Sequence, residues 1–233
     1  MMLLKPGMTW LPVTYDPDLN LMYLTTGNPH PVMANRNRAG TNLFTGCIIA
    51  LSPDTGKMAW SFQPMPHDTH DWDATETAVL VDAQVAGRPR KLLAQASRNG
   101  VFFVLDRVTG KALSSTEFVK TNWMLGFDDQ GQPISNPAKM PQESGALVSP
   151  DSVGAANWPA PSASPNTGLF YVNASRSFSM AHSAVAAATM YPSTPTCNTS
   201  LRTLDPDDVA GIRSLYPPIQ TPPPAPTGFR IVK

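Results

Sequence analysis

The chain has 233 residues, of which 42% are hydrophobic, so it is long enough to bury a core as one or two domains. Its seventeen basic and seventeen acidic side chains cancel, and no Lys/Arg-rich run occurs, which argues against nucleic acid or an anionic membrane surface as a partner. Cys47 and Cys197 stand in neither a CxxC nor a CxxCH spacing, which excludes a c-type haem site.

The amino-terminal sequence, MMLLKPGMTW, lacks the charged start and apolar core of an export signal. From this we expect either a cytoplasmic chain or one whose natural beginning is missing. A little further on stands the turn TGNP, which ends at Asn28 and Pro29. An asparagine side-chain oxygen suits a hard cation, although asparagine before proline is also a common turn former.

Four segments of similar design follow one another along the chain, each an apolar strand beside a tight turn. They are TYDPDLNLMYLTTG, IIALSPDTGKMAWSF, VFFVLDRVTGKALSS and PSASPNTGLFYVNAS. Proline in these turns presets φ, and glycine or asparagine accepts a positive φ. The flanking Val, Ile, Phe, Tyr and Leu residues favour strands. We therefore predict four β-hairpins.

Strand pairs that recur in this way, with little helical periodicity between them, predict an all-β fold. A β-propeller is favoured over a β-sandwich because the repeated turns are more regular than sandwich loops require. Only about three to four blades fit in this length, whereas a closed propeller has about four to eight. We therefore predict a partial propeller.

Between the second and third hairpins lies an acidic segment, PHDTHDWDATE, built around Trp72. Its carboxyl groups crowd one another and the indole, so we expect at least one to have a raised pKa suited to a base; they belong to Asp68, Asp71, Asp73 and Glu76. A base and a cation-binding amide are the parts of a metal-assisted oxidation. The alternative is a solvated acidic loop, with His67 and His70 as metal ligands or as structural groups.

Near residue 180 the composition changes, and the chain becomes rich in Ala, Ser and Thr. The longest apolar run, Ala184 to Met190, is too short to span a bilayer. One short helix is predicted from a cap at Asp205, with Pro206 at its first position and apolar residues at helical spacing, ending before Pro217. Residues 218–233 then predict a proline-rich linker and the start of a strand.

Four segments together resemble the pyrroloquinoline quinone (PQQ) dependent alcohol and methanol dehydrogenases. They are TWLPVTYDPDLNLMYLTTGNP, NLFTGCIIALSPDTGKMAWSFQPMPHDTHDWDA, RKLLAQASRNGVFFVLDRVTGK and GAANWPAPSASPNTGLFYVNAS. The resemblance covers roughly residues 8–180, in the right order. It implies part of an eight-bladed propeller with a tryptophan-docking repeat, here ALSPDTGKMAWSFQ. We therefore place a propeller-like domain at residues 1–180.

The resemblance implies a metal and a base. Asn28 corresponds to the amide ligand of the metal, and Asp71 to the base that abstracts the alcohol proton and to a further ligand of that metal. Asp73 corresponds to the extra carboxylate of members that use a lanthanide rather than calcium, and the added negative charge favours a trivalent ion. The alternative for Asp73 is a carboxylate that faces solvent or only supports the ligands, so calcium and a lanthanide both remain open.

The resemblance also implies the cofactor contacts. Trp10, eighteen residues before Asn28, corresponds to the tryptophan on which PQQ stacks, and Arg98 to the arginine that contacts the quinone oxygens. Asn157 and Trp158 correspond to a further contacting pair. On residue type alone, Trp10 is an ordinary core residue and Arg98 a surface residue.

From these roles we expect oxidation of an alcohol, with hydride transfer to PQQ, a cytochrome as electron acceptor and a periplasmic or secreted location. The first metal-binding carboxylate, the adjacent-cysteine disulfide and about half the blades of the family lie in segments that this sequence does not contain. We therefore expect a truncated member without activity of its own. The alternative function is a non-catalytic binding or scaffold protein.

The tail has a second resemblance. AHSAVAAATMYPSTPTCNTSLRTLDPDDVAGIRSLYP resembles the end of matrixin-type zinc metalloproteases, with His182 as the third zinc histidine and Met190 in the Met-turn, and PPAPTGFRIVK resembles the start of a fibronectin type III module. No HExxH motif occurs in the chain, which excludes a working protease. We place this remnant at residues 181–217 and expect a junction near residue 180.

Overall fold

The structure, a computed structural model, describes residues 7–33 and 38–183. These residues lie in one structural unit, Met1–Ala186. They form fourteen β-strands and one short 3-10 turn, Pro137–Lys139, and among them there is no helix long and apolar enough to cross a membrane. The all-β prediction is confirmed. The predicted helix at Asp205 and the proline-rich residues 218–233 lie outside the described residues.

Two four-stranded antiparallel sheets make up most of the described fold. The first contains β1 (Thr14–Asp16), β2 (Leu21–Thr25), β3 (Ile48–Leu51) and β4 (Met58–Phe62). The second contains β5 (Val79–Val85), β6 (Arg88–Ala96), β7 (Val101–Asp106) and β8 (Ala112–Glu117). In both sheets the strands lie side by side in chain order, which is the arrangement of a propeller blade.

Three two-stranded sheets follow. They pair β9 (Met124–Phe127) with β10 (Pro133–Ser135), β11 (Ala146–Val148) with β14 (Ser179–Ala181), and β12 (Ser162–Ser164) with β13 (Leu169–Tyr171). The last strand, β14, runs across the predicted boundary after residue 180. His182, just beyond it, forms a parallel bridge with Gln142, so this part of the predicted remnant pairs with the β11 region.

All four predicted hairpins are confirmed. They are β1–β2, β3–β4, β7–β8 and β12–β13. Each turn has a residue of positive φ where the sequence offers asparagine or glycine, namely Asn20 (50°), Gly56 (67°), Gly110 (75°) and Gly168 (67°). In the three glycine turns the glycine N–H donates to the carbonyl four residues earlier, at 2.8 to 2.9 Å. The repeated turn sequence therefore produces a repeated turn structure.

The two large sheets are joined where Trp60 of β4 meets the β7–β8 turn. A methyl group at Gly110 would lie 2.6 Å from Cδ2 of Trp60, so glycine is what lets the indole approach. Trp60 Nε1 donates to the main-chain carbonyl of Arg107 at 3.2 Å, and the Tyr23 hydroxyl donates to the same carbonyl at 3.0 Å. This contact fits the tryptophan-docking repeat that the family resemblance implies.

A buried ion pair lies beside this joint. Arg107 Nε donates to Asp16 Oδ2 at 2.6 Å, and both side chains are 5% exposed or less. The same guanidinium donates from NH1 to Asp82 at 2.7 Å, but Asp82 is 63% exposed. Asp16 ends β1 of the first sheet and Arg107 follows β7 of the second, so the pair crosses between the two sheets.

The core continues from the sheets to the acidic segment. Phe62 and Phe103 pack edge to face, with ring centroids 5.3 Å apart. Trp72, in the middle of the acidic segment, is fully buried and packs on Trp123 at 5.1 Å. Its indole Nε1 also donates to the carbonyl of Asp151 at 2.6 Å. The acidic segment is therefore anchored to the core by its central indole, and its carboxylates are held in fixed places.

Candidate functional site

The amino-terminal segment lies against the TGNP turn. The N–H of Gly27 donates to the carbonyl of Met8 at 2.9 Å. A methyl group at Gly27 would lie 2.8 Å from Trp10 Cζ3 and 2.8 Å from Asp73 Oδ1, so only glycine leaves room for both. The Trp10 side chain remains 46% exposed, which leaves part of its surface open for stacking.

Asn28 and Asp71 meet across two distant segments. Asn28 Nδ2 donates to Asp71 Oδ1, which leaves the amide oxygen of Asn28 as an acceptor beside the same carboxylate. Asn28 is buried and Asp71 half-buried. Asp71 has a φ of 69°, in the left-handed region that residues other than glycine rarely adopt. Trp10, Asn28 and Asp71, three of the sequence-predicted site residues, thus lie in one place.

Asp73 joins this group from the other side. Its Oδ1 accepts the backbone N–H of Asn28 at 2.8 Å, and its Oδ2 accepts from Arg98 NH1 at 2.6 Å. The Arg98 and Asp73 side chains are 9% and 6% exposed. Burial raises the pKa of Asp73, whereas Asn28 and Arg98 act to lower it. Asp73 is therefore a connecting carboxylate with both oxygens already engaged.

Arg98 also holds a loop of the following strand pairs. Its NH2 donates to the carbonyl of Ser152 at 2.5 Å, and its own carbonyl accepts the N–H of Ala155 at 2.8 Å. A methyl group at Gly154 would lie 2.8 Å from Arg98 Cβ, so this glycine is required for the close approach. Arg98 therefore ties the acidic segment to the loop at 152–155.

Asn157 and Trp158 lie further along that loop. Asn157 Nδ2 donates to the carbonyl of Val153 at 2.9 Å, and Trp158 is 61% exposed. Within residues 7–33 and 38–183, no hydrogen bond or ring contact joins either side chain to the group around Asp71. The structure does not bring this predicted pair into the hydrogen-bonded cluster.

The acidic segment is largely buried, so the alternative of a solvated acidic loop is wrong. Asp68, Asp73 and Glu76 are each 5% exposed or less. Burial raises the pKa of Asp68 to about 7 and that of Glu76 to about 7. For Glu76, Arg98 lowers the pKa and Asp73 raises it further. The expectation that at least one carboxyl of this segment has a raised pKa is confirmed.

A group of buried polar atoms has no hydrogen-bond partner among the described residues. They are Thr75 Oγ1, Glu76 Oε1, Gln95 Oε1, Ser97 Oγ and Arg98 Nε. Gln95 Nε2 donates to the carbonyls of Ala74 and Glu76 at 3.1 and 3.0 Å, which ties β6 to the acidic segment. The Nε–H of Arg98 is a buried donor without a partner among the described residues, and an oxygen that reached it would satisfy it.

The two histidines of the segment have structural contacts. His70 is buried, stacks on Trp72 with ring centroids 4.4 Å apart, and its Nε2 lies 2.9 Å from the carbonyl of Lys139. Since a carbonyl only accepts, Nε2 bears the proton. Burial lowers the pKa of His70 to about 4. His67 Nδ1 lies 2.7 Å from the carbonyl of Gly40. In the described part of the chain, no three His, Cys, Asp or Glu side chains form a metal-binding group.

The residues present fit a hard cation and a planar quinone. The amide oxygen of Asn28 and the carboxylate of Asp71 supply oxygen donors at one place, as calcium and the lanthanides prefer, and the carboxylate of Asp73 lies beside them with each oxygen accepting one hydrogen bond. The open part of the Trp10 surface and the unpartnered Nε–H of Arg98 supply a stacking surface and a donor.

Several residues of this cluster were not predicted from the sequence. Gly27 stands directly before Asn28, so its place in the TGNP turn was a signal. No signal in the sequence pointed to Arg38 or to the loop at 152–155, because their partners are distant in the chain. The Arg38 side chain is buried among backbone carbonyls. The hydrogen bonds of Asp68 were also unforeseen, although its place in the acidic segment was noted.

Comparison with known proteins adds the family. Residues 5–122 match the family model described as PQQ: Glucose/ethanol/alcohol dehydrogenase, beta-propeller domain. The quinohemoprotein alcohol dehydrogenase of Comamonas testosteroni is 41% identical over 170 residues, which is 72% of this chain and 24% of that protein. Its crystal structure superposes with a TM-score of 0.68 over 71% of this chain and 25% of its own.

The names of two further relatives mention an electron acceptor in one case and a metal in the other. The 1-butanol dehydrogenase (cytochrome c) of Thauera butanivorans is 42% identical over 132 residues, covering 57% of this chain and 19% of that protein. A europium-containing methanol dehydrogenase is 35% identical, with a TM-score of 0.68 over 71% of this chain and 29% of its own. The chain spans about a quarter of the length of the curated relatives it matches.

Proposed function

The chain belongs to the family of PQQ-dependent alcohol dehydrogenases, and on that premise we propose that it contributes metal, quinone and general-base residues to the oxidation of an alcohol. One observation carries the proposal. Asn28, Asp71, Asp73 and Arg98 are linked by hydrogen bonds into one cluster, with Trp10 against its edge at Gly27.

Each side chain of the cluster has a role in the proposal. Asp71 takes the proton of the alcohol hydroxyl, because its half-buried carboxylate is the most accessible of the group. Asn28 presents its amide oxygen to the cation and holds Asp71 by its Nδ2. Arg98 donates to the quinone oxygens, and Trp10 sets the plane of the ring. A bound PQQ would supply the hydride acceptor for this oxidation, and a bound cation would supply Lewis acidity.

The metal is calcium or a lanthanide. Asp73 either joins the cation directly or supports it through Asn28 and Arg98, and the hydrogen bonds to both of its oxygens favour the supporting role. A direct role would favour the trivalent ion, since a further carboxylate adds negative charge. The europium-containing relative keeps the lanthanide open for this chain.

The partners and location in the proposal come from the relatives. An alcohol is the substrate, and a cytochrome is the electron acceptor, as in the cytochrome c-linked relative. A periplasmic location follows from the family. The second candidate is a non-catalytic binding protein, which the open surfaces of Trp10 and Trp158 favour, because a cavity enclosed on all sides would bury them.

The experiment is a titration of the purified chain with PQQ in the presence of calcium or terbium, followed by quenching of tryptophan fluorescence. We expect saturable, metal-dependent quenching that weakens about tenfold in Asp71→Asn. Asp18→Asn is the control, because Asp18 lies on the β1–β2 turn and pairs with Lys91. Absence of quenching at high PQQ would favour the non-catalytic role, and binding without alcohol turnover would fit a chain that is inactive by itself.

A further inference from the structure

Asp71 is one of two residues of the acidic segment with a positive φ, and the other is His67. With a φ of 69° Asp71 occupies the left-handed region, which is strained for a residue other than glycine. The direction of its carboxylate depends on this conformation, because φ sets where the side chain leaves the backbone. Something in the surrounding structure must hold the bend.

Asp68 accepts hydrogen bonds from the backbone on both sides of Asp71. Its Oδ1 accepts the N–H of His70 at 2.8 Å, and its Oδ2 accepts the N–H of Trp72 at 2.8 Å. The two N–H groups belong to the residues directly before and after Asp71. Asp68 is 1% exposed, so water does not compete for these bonds.

The same segment is held from outside by Arg38. Its NH2 donates to the carbonyl of Asp68 at 2.7 Å and to that of Val32 at 2.7 Å, and its Nε donates to that of Pro31 at 3.0 Å. Pro31 and Val32 follow the turn that carries Asn28. Arg38 therefore fixes Asp68 relative to the turn of Asn28, and Asp68 fixes the bend of Asp71.

We propose that Asp68 is a positioning residue, whose carboxylate holds Asp71 in the conformation that directs it at Asn28 and the bound cation. The part of this proposal that concerns the cation rests on the proposed function, whereas the part that concerns the backbone at Asp71 does not. A carboxylate is required because both of its oxygens accept. An asparagine offers one accepting oxygen and turns an NH₂ group toward the other N–H, so one of the two bonds is lost and a donor faces a donor.

The first test measures the ion. The full chain and Asp68→Asn are titrated with terbium, whose luminescence the neighbouring tryptophans excite, and lifetimes in H₂O and D₂O give the number of coordinated waters. We expect terbium to bind about tenfold more weakly to Asp68→Asn and to keep about one additional coordinated water, because the Asp71 carboxylate is no longer directed at the ion. Loss of stability alone would leave the water count of the folded protein unchanged. Unchanged affinity and water count in Asp68→Asn would overturn the positioning of the ion.

The control is Asp106→Asn. Asp106 is also a buried carboxylate that accepts two nearby backbone N–H groups, but it does so in the β7–β8 turn and with one oxygen: Oδ1 accepts from Val108 and Thr109 at 3.1 Å each, while Oδ2 pairs with Arg90 at 3.1 Å. We expect the control to match the wild-type chain in affinity and water count. If Asp68→Asn does not fold, Asp68→Ser replaces it, because a hydroxyl oxygen still accepts one of the two N–H groups.

The second test needs no ion. Amide hydrogen exchange of the metal-free chain measures protection at His70 and Trp72, and we expect Asp68→Asn to lose protection at one or both while the amides of β7 stay protected. Equal protection in both chains would overturn the inference outright. If the wild-type chain binds no terbium, the proposed function fails while the exchange result still decides whether Asp68 holds the bend.

Discussion

Trp60 packs against Gly110 so closely that a methyl group on the glycine would lie 2.6 Å from the indole. Gly56 occupies the equivalent place in the preceding turn, with a φ of 67° against 75° for Gly110, but a methyl group there would meet nothing within 4 Å. Comparing the two glycines therefore separates the cost of backbone strain, which both positions share, from the cost of packing against Trp60, which only Gly110 has.

We expect Gly110→Ala to destabilise the chain more than Gly56→Ala. Both variants force alanine into a left-handed conformation, at a cost of about 1 kcal/mol. Only Gly110→Ala also displaces Trp60, which adds about 1 to 3 kcal/mol of overpacking. Urea unfolding followed by circular dichroism measures the difference. Equal loss in the two variants would show that Trp60 docking contributes nothing to stability.

The second prediction concerns the two carboxylates on Arg107. Asp16→Asn should lower the free energy of unfolding by about 3 to 5 kcal/mol, because it leaves a buried guanidinium without its buried partner. Asp82→Asn should cost less than about 1 kcal/mol, since Asp82 is 63% exposed. Thermal unfolding of both variants at one pH tests this. A larger loss in Asp82→Asn would contradict the role assigned to burial.

The third prediction is a pH dependence from Glu76. Its folded pKa of about 7 lies above the ordinary 4.5, so the fold favours the protonated form. This contribution is fully present below pH 4.5 and is lost as the pH rises through about 7. Replacement by glutamine removes the ionisation. Glu76→Gln should therefore have the same free energy of unfolding as the wild-type chain at low pH and one up to about 3 kcal/mol higher at about pH 8.

The comparison with Glu76→Gln isolates Glu76 from its neighbours. His70, with a pKa lowered to about 4, acts in the opposite sense, because its contribution is lost as the pH falls from 6.5 through that value. Asp68 has a raised pKa as well. Both groups are the same in the two chains, so only the difference between their unfolding curves across pH is informative. A difference that does not change with pH would contradict the prediction.

The fourth prediction concerns Trp10 and rests on the proposed function. Trp10→Ala should weaken PQQ binding about tenfold, because it removes the stacking surface, and Trp10→Phe should recover most of it. Equilibrium dialysis with PQQ and calcium measures both without relying on tryptophan emission. Identical affinity in all three chains would place the quinone elsewhere.

Local chemistry explains why the hairpins were predictable. Each of the four turns combines a residue suited to positive φ with flanking apolar strands, and both requirements are local in sequence. The position of Trp60 was predictable only through the family resemblance, since its partner Gly110 is fifty residues away. The sequence of the turn does not indicate which tryptophan will pack against it.

The candidate site was predictable in its residues but not in its connections. The roles of Asn28, Asp71 and Asp73 were predicted through the family resemblance, whereas the bonds from Asp73 to Asn28 and Arg98 depend on how distant segments meet. Raised pKa values were expected somewhere in the acidic segment, but nothing local in the sequence indicated that the carboxyl groups of Asp68 and Glu76 are buried. The left-handed conformation of Asp71 had no signal, since neither glycine nor a standard turn sequence marks it.

The joint between the two sheets combines two kinds of contact that depend differently on residue 107. Trp60 and Tyr23 both donate to the main-chain carbonyl of Arg107, an acceptor that every amino acid offers. The ion pair with Asp16 depends on the guanidinium itself. A neutral side chain at position 107 therefore keeps both hydrogen bonds of the joint but leaves a buried carboxylate without its cation.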